Sequence, residues 1–433
     1  MVPVINIGLI GCGTVGAAVL QILKANRKVV EQRVGGKVVV RAICDKVVEK
    51  AELAKKYGAS FYTDWRKVVY DPGVDIVVEL IGNVSEAKDI ILESLKQNKH
   101  VVSANKSIIS KHWEEIFTLA ERNKRLVYFE ASVCAGLPII QGINEGLAGN
   151  NINSLIGILN GTTNYILTTM SKEKVDFKSA LEAARRKGFA EADPSLDIDG
   201  VDTVQKLAIL SSICYNTWIN YEDIYCEGIR GVEEVDLEFV DKEFDMVLKL
   251  LGIGKFCNDS VELHVHPTLI SKAHPLANVD NEYNAVLVYG DNAGDVLFYG
   301  RGAGGRAAAS AVVSDIIYIS RHIIYGTAGK IPYIVYQKKK YSITPMSELS
   351  FCYYLRFTVE DKPGVLAKIT EILGNNKISI ASIYQKEPLL KLHKLVPVVM
   401  LTHLCKEKHL MEALQQINHL KISKKKVVYY RII

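Results

Sequence analysis

The sequence lacks the cysteine patterns typical of secreted or zinc-binding proteins. Its eight cysteines are scattered singly over 433 residues, without a C-x-x-C pair or a cysteine/histidine cluster. Structural zinc needs such a cluster, and disulfide frameworks belong to oxidising compartments. We therefore expect free thiols and a reduced, cytoplasmic setting. Cys12 lies between two glycines, where we interpret it as a small filler residue rather than a redox group.

Charge of one sign is also scarce, since the net charge is only +5. The excess is partly local and lies in two lysine runs, at 338–340 and 424–426. No aromatic-rich basic patch accompanies these runs. Solvated turns therefore explain them better than a nucleic-acid-binding surface, and we expect no nucleic-acid partner.

The first 23 residues carry no charged side chain, and the stretch superficially resembles a signal peptide or a membrane span. A signal peptide starts with basic residues, which are missing here. Four glycines, Pro3 and Asn6 also interrupt the apolar run. A buried parallel strand followed by a helix explains the pattern better, so we expect no membrane partner.

Apolar, β-branched runs alternate with helical patterns through the first third of the chain. Strands are expected at 4–10, 38–44, 75–81, 100–104 and 125–130, and helices at 17–26, 49–57, 86–98 and 113–122. This alternation predicts an α/β fold with a doubly wound parallel sheet. We assign residues 1–135 to a Rossmann-type nucleotide-binding domain.

The pattern becomes mixed beyond residue 150 and predicts an α+β substrate and dimerisation domain over residues 136–325. Strands are expected at 154–159, 261–267, 285–289 and 296–299, and helices from 165 and at 177–187, 201–214 and 307–325. Residues 326–350 hold Pro332 and Pro345 without a regular pattern, so we interpret them as a linker. Residues 351–433 follow the order βαββαβ of a ferredoxin-like domain.

A G-x-G-x-x-G motif joins the first strand to the first helix. The run is Gly11, Cys12, Gly13, Thr14, Val15 and Gly16. Its glycines allow a tight turn and a close approach of a pyrophosphate, and the helix N-terminus supplies free N–H groups. This context favours dinucleotide binding over a purely structural turn.

Asp45 ends the second expected strand, where an acidic side chain binds a ribose 2′-hydroxyl and favours NAD. Arg41 and Lys46 lie close by in sequence and would tolerate the 2′-phosphate of NADP. The choice between the two cofactors stays open, with NAD slightly favoured.

An acidic segment precedes the expected helix at 201–214 and carries five acids within twelve residues. Asp199 is the expected N-cap, which accounts for one acid but not for five. Asp202 and Lys206 are spaced i, i+4 on one helix face, either as a surface salt bridge or, given their apolar neighbours, as a buried reactive pair. Lysine transfers protons near neutral pH when its pKa is lowered, by burial or by a second cation such as Lys106.

Four segments are together similar to the homoserine dehydrogenase family. They are Gly188–Lys206 with its G-F-A-E-A-D-P-S start, Ser103–Lys106, Tyr128–Val133 and Asn160–Leu167. With the glycine motif, the resemblance extends from about Ile5 to Ile324. It implies reversible, NAD(P)H-dependent reduction of L-aspartate 4-semialdehyde to L-homoserine in threonine, methionine and isoleucine biosynthesis.

The resemblance also implies a role for individual residues. The catalytic group would be Lys206, Lys106 and Asp202, with Lys206 as the proton donor. Substrate contacts would come from Glu191, Asp197, Asp202, Gly161 and Thr162. Beyond the glycine motif and Asp45, cofactor contacts would come from Ser103, Lys106, Gly188, Gly302 and Gly304. Backbone carbonyls of Glu130, Val133, Ala135 and Leu137 would hold a monovalent cation such as sodium.

The chain departs from the family's usual pattern in a glycine-rich loop at 300–308. Arg301 and Arg306 stand there in place of neutral residues. These two cations put the local cofactor contacts, and the preference between NAD and NADP, in question.

A last motif, Glu360–Ile369, lies at the first strand-to-helix turn of the ferredoxin-like unit and resembles the start of an ACT domain. The carboxylate of an amino acid can approach the helix N-terminus there, at Asp361, Gly364 and Val365. Threonine is the first effector to consider, and paired ACT domains predict a homodimer or a higher homo-oligomer. A purely structural dimerisation domain is the alternative.

Two other functions stay open. One is a dehydrogenase of the same fold that acts on a sugar or on another amino-acid semialdehyde, against which the D-P-S loop and Lys206 argue. The other is a non-enzymatic sensor of NAD or amino acids. Such a sensor is expected to have lost Glu191, Asp202, Lys206 and Lys106, all of which are present.

Overall fold

The computed structural model describes residues 2–331, 333–334, 340–385 and 395–433. Pro332 and most of the lysine run at 338–340 therefore lie outside the described residues. The described cysteines are free thiols, as expected, and Cys12 is buried. Burial raises the pKa of the Cys12 thiol to about 11, which agrees with a filler residue.

The first domain is built around a parallel sheet with the strand order β3-β2-β1-β4-β5-β6. Its strands are β1 Val4–Ile10, β2 Lys37–Cys44, β3 Ser60–Tyr62, β4 Ile76–Glu79, β5 His100–Ser103 and β6 Val127–Tyr128. Its helices are α1 Thr14–Ala25, α2 Arg27–Val34, α3 Ala51–Lys56, α4 Arg66–Val69, α5 Val84–Lys96 and α6 Lys106–Arg122. The strand order reverses between β1 and β4, where a dinucleotide binds in such folds, so the Rossmann-type prediction is confirmed.

The prediction missed α2, β3 and α4 of this domain, and two further differences bear on the site. α6 begins at Lys106 rather than at 113, because the side chain of Asn105 caps it by accepting the N–H of Ile108 at 3.3 Å. β6 is shorter than predicted, because the chain turns into a 3₁₀ helix at Glu130–Ser132. Both differences bring polar residues to the carboxyl edge of the sheet.

The second domain contains an antiparallel sheet with the order β12-β11-β7-β9-β10. Its strands are β7 Ile152–Ile158, β8 Tyr225–Cys226, β9 Met246–Cys257, β10 Ser260–Ser271, β11 Tyr283–Gly290 and β12 Gly294–Arg301. Its helices are α7 Ile139–Gln141, α8 Gly161–Glu173, α9 Phe177–Arg186, α10 Ser195–Ile198, α11 Val201–Cys214, α12 Glu234–Phe244 and α13 Gly305–Ile324. The α+β prediction is confirmed.

Sequence reasoning missed β9 and α12. β9 lies in the middle of the sheet, and its central residues are buried on both faces. The strand therefore shows no alternation of polar and apolar residues, which is the pattern that identifies half-buried strands.

The third domain has the ferredoxin-like order predicted from its sequence. Its elements are β13 Ser342–Ile343, β14 Ser350–Glu360, α14 Val365–Asn375, β15 Ile380–Gln385, β16 Leu395–Thr402, β17 Cys405–Lys406, α15 Glu407–His419 and β18 Val428–Ile432. β18 pairs in parallel with β10 of the second domain, with Thr268 opposite Arg431, so the two sheets are continuous. β13, which lies within the expected linker, also pairs with β10.

α13 is the one helix in the described ranges that is long and apolar enough to span a membrane, judged by length and composition. Half of its most apolar window (50%) is buried in the structure. It packs against α1 of the nucleotide-binding domain. The buried core helix of a globular protein also meets these criteria of length and composition.

Candidate active site

The glycine motif forms a tight turn between β1 and α1. A Cβ atom on Gly11 would lie 2.6 Å from the Leu80 carbonyl oxygen, and one on Gly16 would lie 2.1 Å from the Gly11 carbonyl oxygen. Gly13 instead faces open space, with no atom within 4 Å of its Cβ position. Gly11 and Gly16 therefore build the turn, and Gly13 leaves the backbone accessible at the N-terminus of α1, as a pyrophosphate requires.

A cavity of about 340 Å³ lies beside this turn at the carboxyl ends of the strands. Asp45 lines it and accepts the N–H of Cys12 at 2.6 Å and that of Val47 at 2.9 Å. Asp45 thus braces the glycine loop while facing the space that a ribose would occupy.

The two cations considered for a 2′-phosphate are already paired. Lys46 lines the cavity but forms an ion pair with Glu86 at 2.7 Å. Arg41 forms an ion pair with Asp71 at 2.7 Å and is not among the lining residues, so the structure does not bring it to this cavity. Arg41 lies four residues before Asp45, which is about 13 Å along an extended strand.

Asp202 and Lys206 of α11 form a buried ion pair, with 2.8 Å between Nζ and Oδ2. The other oxygen of Asp202 lies 3.0 Å from the Nζ of Lys106, in the first turn of α6. Lys206 also donates to the carbonyl oxygen of Leu159 at 2.7 Å. Asp202 is only 5% exposed, so the surface salt-bridge alternative is wrong.

The protonation states of this cluster follow from its charges. Burial alone would raise the pKa of Asp202, but the ammonium groups of Lys206 and Lys106 outweigh it and hold the pKa at about 2. Burial would lower the pKa of Lys206, but Asp202 outweighs it and raises the pKa. The expectation of a lowered lysine pKa is therefore wrong, because Asp202 lies between the two cations. Lys206 is held protonated, as a proton donor must be.

Asn160 joins Asp202 to a second carboxylate. Its Nδ2 donates to Asp197 at 2.6 Å and to Asp202 at 2.8 Å, while its Oδ1 caps α8 by accepting the N–H of Thr163 at 2.8 Å. Burial, followed by the charge of Asp202, raises the pKa of Asp197. Sequence reasoning missed Asn160, although an asparagine directly before a helical pattern is an N-cap signal.

The expected N-cap role of Asp199 is wrong. α11 is preceded by Gly200 in a left-handed conformation at φ 88°, without a side-chain cap. Asp199 instead forms an ion pair with Arg230, whose Nη2 lies 2.9 Å from its Oδ2. The charge of Asp199 is therefore paired with Arg230, 31 positions away in the chain, and not with the helix N-terminus.

A cavity of about 450 Å³ brings most of the predicted site residues together. The predicted residues that line it are Lys106, Ala135, Gly161, Thr162, Gly188, Asp197, Asp202, Lys206, Gly302 and Gly304. Lining residues that sequence reasoning missed include Ala131, Ser132, Cys134, Asn160, Phe189, Glu282 and Ala303. Glu191 is exposed and is not among the lining residues, so the structure does not bring it to the site.

Ser103 is fully buried, and its hydroxyl donates to Glu79 Oε2 at 2.6 Å. Its Oγ also accepts the N–H of Asn105 at 3.1 Å, which joins the end of β5 to the start of α6. Burial raises the pKa of Glu79 to about 7, with Ser103 and the Ile81 amide opposing the shift. Ser103 therefore supports the residues around it and does not line the cavity itself.

The segment that would hold a monovalent cation turns tightly, with Cys134 and Ala135 at φ 51° and 32°. The carboxylate of Glu130 accepts the N–H groups of Ile140 at 2.8 Å and Gln141 at 2.9 Å, so it serves the backbone. Within the described ranges no group of three His, Cys, Asp or Glu side chains is placed to hold a metal. The possible metal ligands that remain in this turn are neutral carbonyl oxygens, which suit a hard cation of low charge.

The predicted effector residues lie in a different place. Asp361 and Gly364 are exposed on the turn before α14, and Val365 is half-buried at its first position. Gly364 adopts φ 86°, with no atom within 4 Å of its Cβ position. The turn is open to solvent, and the pairing of Glu360 with Lys362 and Lys424 brings charge close to it.

A Rossmann-type domain with a glycine turn, a buried lysine–aspartate pair at its mouth and a ferredoxin-like third domain defines an NAD(P)-dependent oxidoreductase with a fused ACT domain. Three family models agree with this order. Residues 11–130 match the homoserine dehydrogenase NAD-binding domain, residues 138–317 match homoserine dehydrogenase, and residues 353–420 match the ACT domain.

Similarity extends over nearly the whole chain. A homoserine dehydrogenase of Neisseria gonorrhoeae is 39% identical over 431 residues, covering 99% of this chain and 98% of its own. One from Synechocystis is 40% identical over 432 residues, with 97% of each covered. The crystal structure of a homoserine dehydrogenase from Thiobacillus denitrificans has a TM-score of 0.93 at 39% identity, covering 100% of this chain and 98% of that one. The chain belongs to the homoserine dehydrogenase family.

Proposed function

We propose that this enzyme catalyses the reversible NAD(P)H-dependent reduction of L-aspartate 4-semialdehyde to L-homoserine, in the biosynthesis of threonine, methionine and isoleucine. The observation that carries the proposal is the Asp202 carboxylate, held between Lys206 and Lys106 in the cavity of about 450 Å³. The reduced nicotinamide, when bound, supplies the hydride.

Lys206 gives its proton to the aldehyde oxygen as that oxygen becomes an alcohol. The ammonium is aimed by two acceptors, Asp202 and the Leu159 carbonyl, and the raised pKa keeps it charged. Lys106 is the second cation near the reacting oxygen and stabilises its growing negative charge. Asp202 remains ionised throughout and fixes both lysines.

The amino-acid end of the substrate meets the other wall of the cavity. Asp197 and Glu282 line it and offer carboxylates to the substrate ammonium. Gly161 and Thr162 open α8, so their N–H groups suit the substrate carboxylate. Glu191 takes part only if the loop that starts at Gly188, left-handed at φ 76°, closes over the substrate.

The test is a steady-state assay with the semialdehyde and with NADH or NADPH. We propose a modestly higher kcat/KM with NADH, because Asp45 repels a 2′-phosphate. Asp45→Ala is expected to reduce that preference, and Glu49→Ala, which removes a nearby exposed acid, is the matched control. A clear preference of the unmodified enzyme for NADPH contradicts the cofactor proposal, and the absence of turnover with either cofactor contradicts the function.

We propose that the carbonyls of Glu130, Val133, Ala135 and Leu137 bind sodium and thereby order the wall of the cavity that contains Ala135. Sodium is then expected to raise both the Tm and the activity above those in tetramethylammonium chloride of equal ionic strength. Equal Tm values in the two salts contradict a specific cation site.

A homodimer is the proposed assembly, in the cytoplasm, with the β11–β12 sheet face as its contact. Leu297 and Tyr299 of the edge strand β12 are 43% and 55% exposed, and they lie opposite Leu287 and Ala285 of β11. An exposed apolar sheet face of this kind is typical of a subunit interface. Sedimentation velocity tests it, with Tyr299→Asp expected to shift the enzyme toward monomer.

We also propose feedback regulation by an amino acid, with threonine as the first effector to test. The support is the ACT domain together with its junction to the second domain, where β18 extends the sheet of β10. Because β18 and β14 are built into that sheet, point variants of the full chain test regulation better than truncation does.

A further inference from the structure

A third cavity, of about 500 Å³, lies between the second domain and the segment that leads into the ACT domain. One group of lining residues, Trp218, Asn220 and Asp223, follows the end of α11. Tyr225 of β8 adds another, and Lys340 and Tyr341 line the cavity just before β13. This volume falls within the roughly 300–1,000 Å³ typical of small-molecule sites.

The lining combines aromatic surface with charges of both signs. The Nζ of Lys340 lies 5.6 Å from the ring centre of Trp218. Asp223 brings a carboxylate to the same space. The cavity thus offers a ligand an aromatic surface and two opposite charges, those of Lys340 and Asp223.

We propose that this cavity binds a small zwitterionic amino acid, with its carboxylate on Lys340 and its ammonium on Asp223. The inference rests on the proposed function in one respect, namely that the enzyme has an amino-acid effector. It places that effector between the domains rather than on the exposed turn at Asp361 and Gly364.

The cavity is joined to the junction between the domains through Tyr225. The Tyr225 hydroxyl donates to Glu227 at 3.2 Å and accepts from Arg431 Nη2 at 3.2 Å. Arg431, on β18 of the ACT domain, also pairs with Glu227 at 2.9 Å. A ligand against Tyr225 therefore touches the link between the ACT domain and the second domain.

The segment after Tyr225 packs against residues 195–199, which we call the substrate loop because they contain Asp197. The N–H of Ile229 donates to the Ile198 carbonyl at 2.8 Å, at the end of the short helix α10 that contains Asp197. Arg230 pairs with Asp199 and donates to Ser195 Oγ at 3.1 Å. A Cβ atom on Gly228 would lie 2.1 Å from the Ile198 carbonyl oxygen, so the two segments pack without space between them.

This packing indicates how the ligand acts. A change at Tyr225 is transmitted to α10 and so to Asp197, which lines the active-site cavity. The effector shifts activity only if it binds the two arrangements of this segment with different affinity. Because Lys206 is held separately by Asp202 and Leu159, the effect is expected mainly on the KM for the semialdehyde.

Calorimetric titration of the full-length enzyme tests the site. The probes are L-threonine, L-methionine, L-isoleucine and L-lysine, each added separately. We expect one of them to bind with one site per chain, and Asp223→Asn and Lys340→Met to weaken that binding by about tenfold or more, as expected for a lost charge-assisted contact. Two variants serve as matched controls and are expected to keep the affinity: Glu222→Gln, on the neighbouring acid, and Asp361→Asn, on the ACT turn.

The proposal is overturned if none of the four amino acids binds, or if Asp223→Asn and Lys340→Met both bind as the unmodified enzyme does. Loss of binding in Asp361→Asn alone assigns the effector to the ACT turn and overturns it too. Unchanged Tm values establish that the variants are folded. Reduction of the semialdehyde, assayed without any effector, separately tests the proposed enzyme function, so the two failures are distinguishable.

Discussion

Two buried charge clusters in this chain are built in opposite ways. In the active site, the carboxylate of Asp202 is shared by Lys206 and Lys106 beside an open cavity. At the junction of the second and third domains, Arg431 is 1% exposed and pairs with Glu407 and Glu227. The first cluster carries more positive than negative charge, while the second supplies two carboxylates to one guanidinium.

The difference distinguishes a catalytic charge cluster from a structural one. A guanidinium donates several hydrogen bonds to carboxylates in a fixed planar geometry and stays charged at all working pH values, which suits a permanent contact between domains. An ammonium is a point charge that releases its proton when its surroundings change, which suits catalysis. Arg356 forms a second structural cluster in which one guanidinium pairs with two carboxylates. Its Nη2 lies 2.9 Å from Asp236 and 3.0 Å from Glu233.

Replacing Lys206 is the strongest way to sharpen this comparison. Lys206→Met removes the proton donor, so we expect kcat to fall by about 10²–10⁴-fold, the usual range for a lost general acid. The Tm is expected to change little, since Asp202 keeps Lys106 and Asn160 as partners. Lys249, a buried lysine of β9 that pairs with Asp280, provides the matched control in Lys249→Met, which also removes a buried ammonium but lies outside the cavity and should leave kcat unchanged. Near-normal kcat in Lys206→Met would rule out the donor role.

Replacing Arg431 is expected to have the opposite signature. Arg431→Met leaves the buried carboxylate of Glu407 and the partly exposed one of Glu227 without their cation, and we expect the free energy of unfolding to fall by about 3–5 kcal/mol. The kcat of the folded fraction should stay within about threefold of the unmodified value, because no reacting group is lost. Urea unfolding and steady-state kinetics measure the two effects. A large loss of kcat with unchanged stability would show that the two clusters are not distinct in kind.

The pH dependence distinguishes the clusters without any substitution. Because the pKa of Lys206 is raised, the proton donor is present at neutral pH and is lost as the pH rises through that pKa. Reduction of the semialdehyde should therefore be nearly constant through neutral pH and decline only in strong alkali. Oxidation of homoserine needs unprotonated Lys206, so its kcat should rise about tenfold per pH unit below the pKa. Parallel pH profiles in the two directions contradict this assignment.

The smallest effect is expected at the segment that joins the two clusters. Arg230→Gln removes the ion pair with Asp199 and loosens α10, so we expect the KM for the semialdehyde to rise by about two- to fivefold, with kcat nearly unchanged. Arg186→Gln, which changes an exposed arginine of α9, is the control. A fall in kcat with constant KM would indicate that Arg230 acts on the chemistry and not on the substrate loop.

Local patterns explain why much of the fold was predictable. β1 and the glycine turn could be predicted because a buried strand, a turn and the start of a helix follow each other within a few residues. α14, the first helix of the predicted βαββαβ order, could be predicted because it follows a Pro-Gly turn and has a regular apolar face. β9 was missed because a strand buried on both faces has no alternation to detect.

The sequence by itself determined that Asp202 and Lys206 share one helix face, because their spacing of four residues is a property of the helix alone. It also determined the order of the three domains. Only the tertiary structure decided that Lys106, Asn160 and the Leu159 carbonyl close around this pair, and that Glu282 rather than Glu191 lines the cavity. The direction of the Lys206 pKa was decided there too, since it depends on burial and on charges brought from elements far apart in the chain. The contact between Arg431 and Glu227 joins residues 204 positions apart, a distance at which no local pattern specifies a partner.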